Sequence, residues 1–326
     1  MDYNLSISSY TIALKLFFLL SFNAYSQKEP QYTQYMYNIG SFNPAYVGTV
    51  ENPEFSGLYR AQWIDIPGAP RTFRFGANLP FQNEKVGLGI NIVNDELGPA
   101  TQTYADISYS YQIMVSDETK LSFGIDAGGS FLNVDFSKGT FENPGENLSD
   151  EMLTKFYPTV GAGAFLYSED WYLGASVPNF LTEGVYNDEV ASIVEDKLQF
   201  NFIGGYVFEL SDNLKFKPAF LVNTISGSPI NVNLSSNFLI ADVVTAGVSY
   251  RLDNAFSGLA GFQVSNSLFV GYSYDYNTNL LGEFNNGSHE VILKFYLGRK
   301  ESSKSKGNRD KSVKGKPKQI DSPRFF

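Results

Sequence analysis

Between Asn201 and Ile240 the chain alternates. Apolar or glycine residues fall at Phe202, Gly204, Tyr206, Phe208 and Leu210, then at Leu214, Phe216, Pro218, Phe220 and Val222, then at Ile230, Val232, Leu234, Phe238 and Ile240. The positions between them are largely polar or small, among them Asn201, Lys215, Lys217, Asn223, Asn231, Asn233, Ser235 and Asn237. A period of two over segments of about ten residues is the signature of strands with two chemically different faces. The tight turn Ser211-Asp212-Asn213 and the looser Ser226-Gly227-Ser228 separate the segments. The same pattern recurs through most of the chain. It predicts an all-β fold, a transmembrane antiparallel β-barrel of the outer-membrane type.

About fourteen strands are expected, roughly at 53–63, 71–81, 85–94, 101–115, 119–135, 156–168, 170–178, 197–210, 213–225, 229–240, 242–252, 255–264, 267–277 and 288–298. Short polar connections such as Ser116-Asp117-Glu118 and Ser265-Asn266 alternate with a set that includes the long ones, 136–155, 179–196 and 278–287. Short periplasmic turns opposite longer extracellular loops are the usual asymmetry of a bacterial barrel. An even strand count then leaves both ends of the barrel chain in the periplasm.

The faces follow from the alternation. Val86, Leu88, Ile90 and Ile92 are expected toward lipid, with Gly87, Gly89 and Asn91 inward. Ile107, Tyr109, Tyr111 and Ile113 oppose Asp106, Ser108, Ser110 and Gln112 in the same way, and Val291, Leu293, Phe295 and Leu297 oppose Glu290 and Lys294. Lys or Arg on the lipid face near the midplane costs about 2–4 kcal/mol, which accounts for the segregation. Tyr272, Tyr274 and Tyr276 share one face near a strand end, where an aromatic girdle belongs. Glycines inside strands (Gly124, Gly128, Gly129, Gly161, Gly163, Gly204, Gly205, Gly258, Gly261) predict either strand bending or the close approach of something inside the barrel, the N-terminal arm being a candidate.

The ends differ from the middle. Lys15, the apolar run Leu16 to Phe22 and Ala24-Tyr25-Ser26 read as a secretory signal over 1–26, cleaved before Gln27. Residues 27–52 lack clean alternation and form an arm, either periplasmic or a lumenal plug, ahead of the barrel at 53–298. The segment 299–326 carries ten Lys or Arg against three Asp or Glu, so the net charge of −10 divides into a tail of +7 and a body of −17. Such a Lys- and Ser-rich tail is expected to be disordered. Its functional reading is a periplasmic contact, and the plainer one a solubilising tail. No apolar run reaches the ~20 residues of a membrane helix. Nucleic acid is not an expected partner of an exported barrel.

Chemistry is thin. With no cysteine, thiolate metal sites and cysteine nucleophiles are excluded. His289 is the only histidine, and no G-x-S-x-G elbow accompanies it. The acidic stretch with Asp135, Glu142, Glu146, Asp150 and Glu151 lacks the spacing of a calcium loop and reads as a solvated loop. No enzyme activity, cofactor or metal is expected.

Gln31 to Asn38, then Phe42-Asn43-Pro44-Ala45-Tyr46-Val47-Gly48, resemble the opening of the PorP/SprF family. So do Leu58-Tyr59-Arg60-Ala61-Gln62-Trp63, Gly68 to Thr72, Val86 to Gly89 with Asn94, Asp95 and Gly98, and Ser288-His289-Glu290-Val291 near the end. The resemblance spans about 31–298, and the chain departs from it by adding residues after the last strand. It implies an outer-membrane component of type IX protein secretion and gliding motility in Bacteroidetes-type bacteria. The partners it implies are outer-membrane lipid, periplasmic secretion-ring and peptidoglycan-binding proteins, and a large surface adhesin whose export or anchoring the barrel supports. The alternative is a channel for small or hydrophobic solutes. Gln34, Tyr35, Asn43, Pro44, Tyr46, Gly48, Arg60, Gln62 and Trp63 are the candidate residues for seating the arm or meeting a partner. Within them Asn43-Pro44 predicts a turn, because the residue before proline is pushed to extended geometry. Gly48 is expected to supply unusual backbone angles.

Overall fold

The computed structural model describes residues 30–81, 85–138, 152–181 and 197–298. The signal at 1–26, the tail at 299–326, the turn 82–84, the acidic residues Glu142, Glu146, Asp150 and Glu151, and most of the long loops 136–155 and 179–196 lie outside them.

The described strands are β1 (Glu54–Ala61), β2 (Arg71–Pro80), β3 (Val86–Leu97), β4 (Ala100–Ser116), β5 (Thr119–Asp135), β6 (Met152–Tyr167), β7 (Trp171–Val177) and β8 (Gln199–Tyr206). They continue with β9 (Phe208–Ser211), β10 (Leu214–Ile225), β11 (Asn231–Ile240), β12 (Val244–Arg251), β13 (Ala255–Ser265), β14 (Leu268–Asn277) and β15 (Ser288–Tyr296). Each pairs antiparallel with its sequence neighbour, β15 returns to β1, and β8 and β9 are two parts of one stave, interrupted at Val207, that pairs along β10. The ring is therefore a closed barrel of fourteen staves. Closure leaves no edge, as a sheet in lipid requires. No helix among the described residues is long and apolar enough to cross a membrane.

The alternation appears in the burial of each strand. Ile107, Tyr109, Tyr111 and Ile113 are exposed on the outer face, while Ser108, Ser110 and Gln112 are buried inside. Val291, Leu293 and Phe295 face out, and Glu290, Ile292 and Lys294 face in. The outward tyrosines Tyr272 and Tyr274 flank His289, whose Nδ1 is 2.7 Å from the Tyr272 hydroxyl.

The inner face departs from the simple alternation. Leu58, Phe165, Tyr167, Tyr172, Ile203, Leu221, Leu239, Leu259 and Phe269 all point inward and are buried. The reason is the arm. Residues 32–39 and 42–50 are buried within the ring, and their apolar side chains join the inward ones in a single core. Inward charge also differs from the acidic balance of the chain. The buried charged residues are Arg60, Arg74, Lys120, Lys217, Arg251 and Lys294 against Glu54, Asp275 and Glu290.

Chain ends set the orientation. The tight turns after β4, β9, β11 and β13 lie at the end where β1 begins and β15 finishes; the connections 62–70 and 278–287 lie at the other. By the usual asymmetry the first end is periplasmic. The described part of the arm begins with Pro30 and Gln31 at the long-loop mouth, beside Gln62, Trp63, Asn254 and Asn277. It ends near the short-turn end, where Gly48 meets Gly87. The arm thus runs from the mouth into the barrel. The chain has no cysteine, so single-cysteine variants report this direction cleanly. In intact cells Gln31→Cys is expected to react with a membrane-impermeant maleimide, whereas Glu51→Cys should react only after the outer membrane is permeabilised. The reverse order of labelling would refute this placement.

Candidate functional site

Three one-turn 3-10 helices, Tyr35–Tyr37, Ile39–Ser41 and Pro44–Tyr46, fold the arm. Asn43 starts the third. It is extended at φ −145°, Pro44 follows at the first helical position, and the Asn43 Oδ1 accepts from the Ala45 N–H at 2.9 Å. The Asn43 side chain also donates across the lumen, to the Ala164 carbonyl at 3.0 Å and the Ala175 carbonyl at 3.3 Å. One residue therefore caps the turn and ties it to β6 and β7.

Close approach, rather than backbone freedom, explains the glycines here. Gly48 does not have a positive φ, contrary to the expectation of unusual angles. A Cβ on Gly48 would instead lie 2.6 Å from the Ser110 hydroxyl and 2.9 Å from the Gly87 nitrogen. Cβ atoms on Gly124 and Gly163 would collide with Ala45 and Asn43. Gly258, by contrast, faces open space, and Gly128 and Gly129 meet neighbouring strands instead. Aromatic contacts complete the seat, with Tyr46 edge-on to Phe165 at 5.5 Å and Tyr37 edge-on to Phe269 at 5.3 Å.

At the opposite wall a buried ionic cluster holds the first turn of the arm. Arg60 on β1 reaches Asp275 on β14 at 2.7 Å and Glu290 on β15 at 3.0 Å. Thr33 sits between them. Its hydroxyl donates to Asp275 at 2.7 Å, its N–H donates to Glu290 at 3.0 Å, and its oxygen accepts from Arg60 at 3.1 Å. The Gln34 N–H donates to the second Glu290 oxygen at 2.8 Å. Burying a charge is tolerable when it is paired and its remaining hydrogen-bonding positions are filled. The carboxylates receive that from the arm backbone as well as from Arg60.

Of the nine candidate residues, seven line the seat. Gln34, Tyr35, Asn43, Pro44, Tyr46, Gly48 and Arg60 all contact the wall or the arm, with the Tyr35 hydroxyl 3.0 Å from Ser235. Gln62 and Trp63 lie apart from it, on the mouth. There the connection 62–70 is laced to the one before β15, through Ile64 N–H to Gly287 carbonyl at 2.9 Å and Asn286 N–H to Ile64 carbonyl at 3.1 Å. Trp63 and Asp65 adopt positive φ of 46° and 77°, uncommon for residues with side chains. Gln62 and Trp63, together with Pro30, Arg251, Asp275 and Asn277, border a cavity of about 280 Å³ at the mouth.

Thr33, Asp275 and Arg251 were absent from the sequence-derived candidates. Asp275 alternates with outward Tyr274 and Tyr276, a signal of inward placement, but nothing in the sequence pairs it with Arg60, 215 positions away. Among the described residues no group of three His, Asp or Glu is placed to hold a metal.

Closed staves and a lipid-facing apolar belt define an outer-membrane β-barrel protein, spanning the membrane many times. The chain belongs to the PorP/SprF family of type IX secretion system membrane proteins, which it matches over residues 24–295. Three solved structures show what the chain is similar to. The CymD monoaromatic hydrocarbon channel is 13% identical, covering 82% of this chain and 93% of its own, with a TM-score of 0.50. A Pseudomonas aeruginosa FadL homologue is 12% identical over 79% and 93%, with a TM-score of 0.41. Acinetobacter baumannii Omp33 is 9% identical over 77% and 100%, with a TM-score of 0.42. At 13% identity the likeness to CymD is one of fold alone. No curated protein matches the chain significantly.

Removing Arg60 would leave Asp275 and Glu290 buried without their direct partner. Arg60→Ala is expected to destabilise the refolded barrel by about 3–5 kcal/mol, measured by urea unfolding in detergent. Tyr59→Phe, on the lipid face next to it, is expected to change stability by less than about 0.5 kcal/mol. Equal effects of the two would contradict the clamp.

Proposed function

We propose that this barrel is a non-enzymatic scaffold of type IX secretion, supporting export or surface anchoring of a partner adhesin rather than passing solutes. The observation that carries this reading is the arm. Residues 32–39 and 42–50 are buried among inward side chains, and the arm crosses from the β14–β15–β1 wall to the β5–β7 wall. A lumen occupied in this way favours a binding role over conduction. With the arm buried, this reading assigns partner contacts to the connections at the two ends and to the tail 299–326. The long loops would meet the exported partner, and the short turns and tail would meet periplasmic secretion-ring and peptidoglycan-binding proteins.

Two measurements separate this from a channel. In planar bilayers the wild-type barrel is expected to give no steady conductance. Gly124→Leu, which drives a side chain into Ala45, should open one by unseating the arm. A tag in the tail, with mild crosslinking in native outer membranes, should recover secretion components or a large surface protein. Steady wild-type conductance, together with recovery of the barrel alone and loss of solute uptake on deletion, would support the channel instead.

A further inference from the structure

The cavity at the mouth has a floor and, on its border, a guanidinium whose terminal nitrogens lack a direct partner among the described residues. Pro30 and Gln31 of the arm and the Arg60–Asp275 pair line it, so it forms a cup at the long-loop end. Arg251, at the end of β12, borders it and is 6% exposed. Its Nε donates to the Asn233 Oδ1 at 2.7 Å, while its two terminal nitrogens have no hydrogen-bond or ion-pair partner among the described residues. Both nearby carboxylates are occupied, Asp275 by Arg60 and Thr33, Glu290 by Arg60, Thr33 and Gln34. On the same cup Asn277 is 5% exposed, and its buried Oδ1 has no partner. Buried polar atoms are normally satisfied, so an open acceptor of this kind marks a place for a donor. Gln62, Trp63, Asn254 and Ser288 also line it, as does Asp95, whose Oδ1 accepts from the Thr72 hydroxyl at 2.6 Å.

We propose that the cup binds a small carboxylate that also carries a hydroxyl or amine, entering from the long-loop side. The Arg251 fork would take the carboxylate through two parallel N–H donors, the geometry for which guanidinium is suited. Asn277 would accept from the neighbouring hydroxyl or amine. A volume of about 280 Å³ admits a single sugar acid or the terminal residue of a peptide, and not a folded domain. The inference stands on the cup alone and holds whatever the protein partner is.

The protein has two tryptophans, Trp63 on the cup and Trp171 at the start of β7. Trp171→Phe therefore leaves Trp63 as the only fluorophore of its kind. Full-length barrel carrying that change would be titrated in detergent with D-glucuronate and with glycylglycine. D-glucose and glycylglycine amide, which lack the carboxylate, are the controls. A saturable change in Trp63 emission is expected with at least one carboxylate probe and with neither control. Glucuronate alone would identify a sugar acid, and glycylglycine alone a peptide terminus. Arg251→Gln is expected to weaken the response at least about tenfold. Asn277→Leu, which removes the open acceptor and breaks no side-chain hydrogen bond among the described residues, is expected to do the same. It serves as the second test if Arg251→Gln fails to give the folded, heat-modifiable form. No saturation with either probe, equal response to the carboxylate-free controls, or undiminished binding in a folded variant would overturn the proposal.

Discussion

Everything inside this barrel depends on one buried ionic cluster. Arg60 bridges Asp275 and Glu290 across three adjacent staves, and the arm backbone at Thr33 and Gln34 supplies the remaining donors. Neither half is comfortable alone. Without the arm, Glu290 would lose two backbone N–H donors, and without Arg60 two carboxylates would share a low-dielectric space. Because the cluster spans β14, β15 and β1, it also joins the strands at which the ring closes.

From that anchor the remaining arm is placed by shape. A segment entering at the mouth can reach Gly87, Gly124 and Gly163 on the far wall only if those positions lack a side chain. Inward Leu58, Phe165, Tyr172 and Phe269 then pack against Tyr35, Tyr37 and Tyr46, giving a barrel with an apolar core where a porin has water. Close packing of this kind makes the arm part of the fold and not an appended tail. It also converts the mouth into a cup, since the same segment that fills the lumen forms the cup's floor.

The family assignment and the fold lead to the same class by separate routes. Motifs in the arm and β1 carry the family resemblance, and those motifs are the ones that seat the arm. Asn43 caps a turn and ties β6 to β7, and Gly48 yields room to Gly87. Arg60 is the cation of the cluster. Gln62 and Trp63, from the same motif, serve the mouth instead. Neighbours in sequence therefore divide between two places, because the strand carries Arg60 inward just before the chain leaves the wall for the loop.

What the sequence determined alone was local and periodic. Alternation in segments such as Ile107 to Ile113 set each strand, its lipid face and the strand number, because a pleated strand shows each face at every second residue. The extended backbone at Asn43 was legible for a similar reason, since a following proline restricts its own neighbour. Tertiary structure alone decided the rest. The inward leucines and aromatics broke the simple polar rule because their partner was another segment of the chain. The demand on Gly48 came from Gly87, a residue in a different strand. Arg60 found Asp275 and Glu290 only when closure brought the last strands beside the first. Period two is written within one strand, whereas pairing, clearance and charge balance exist only between segments that the ring brings together.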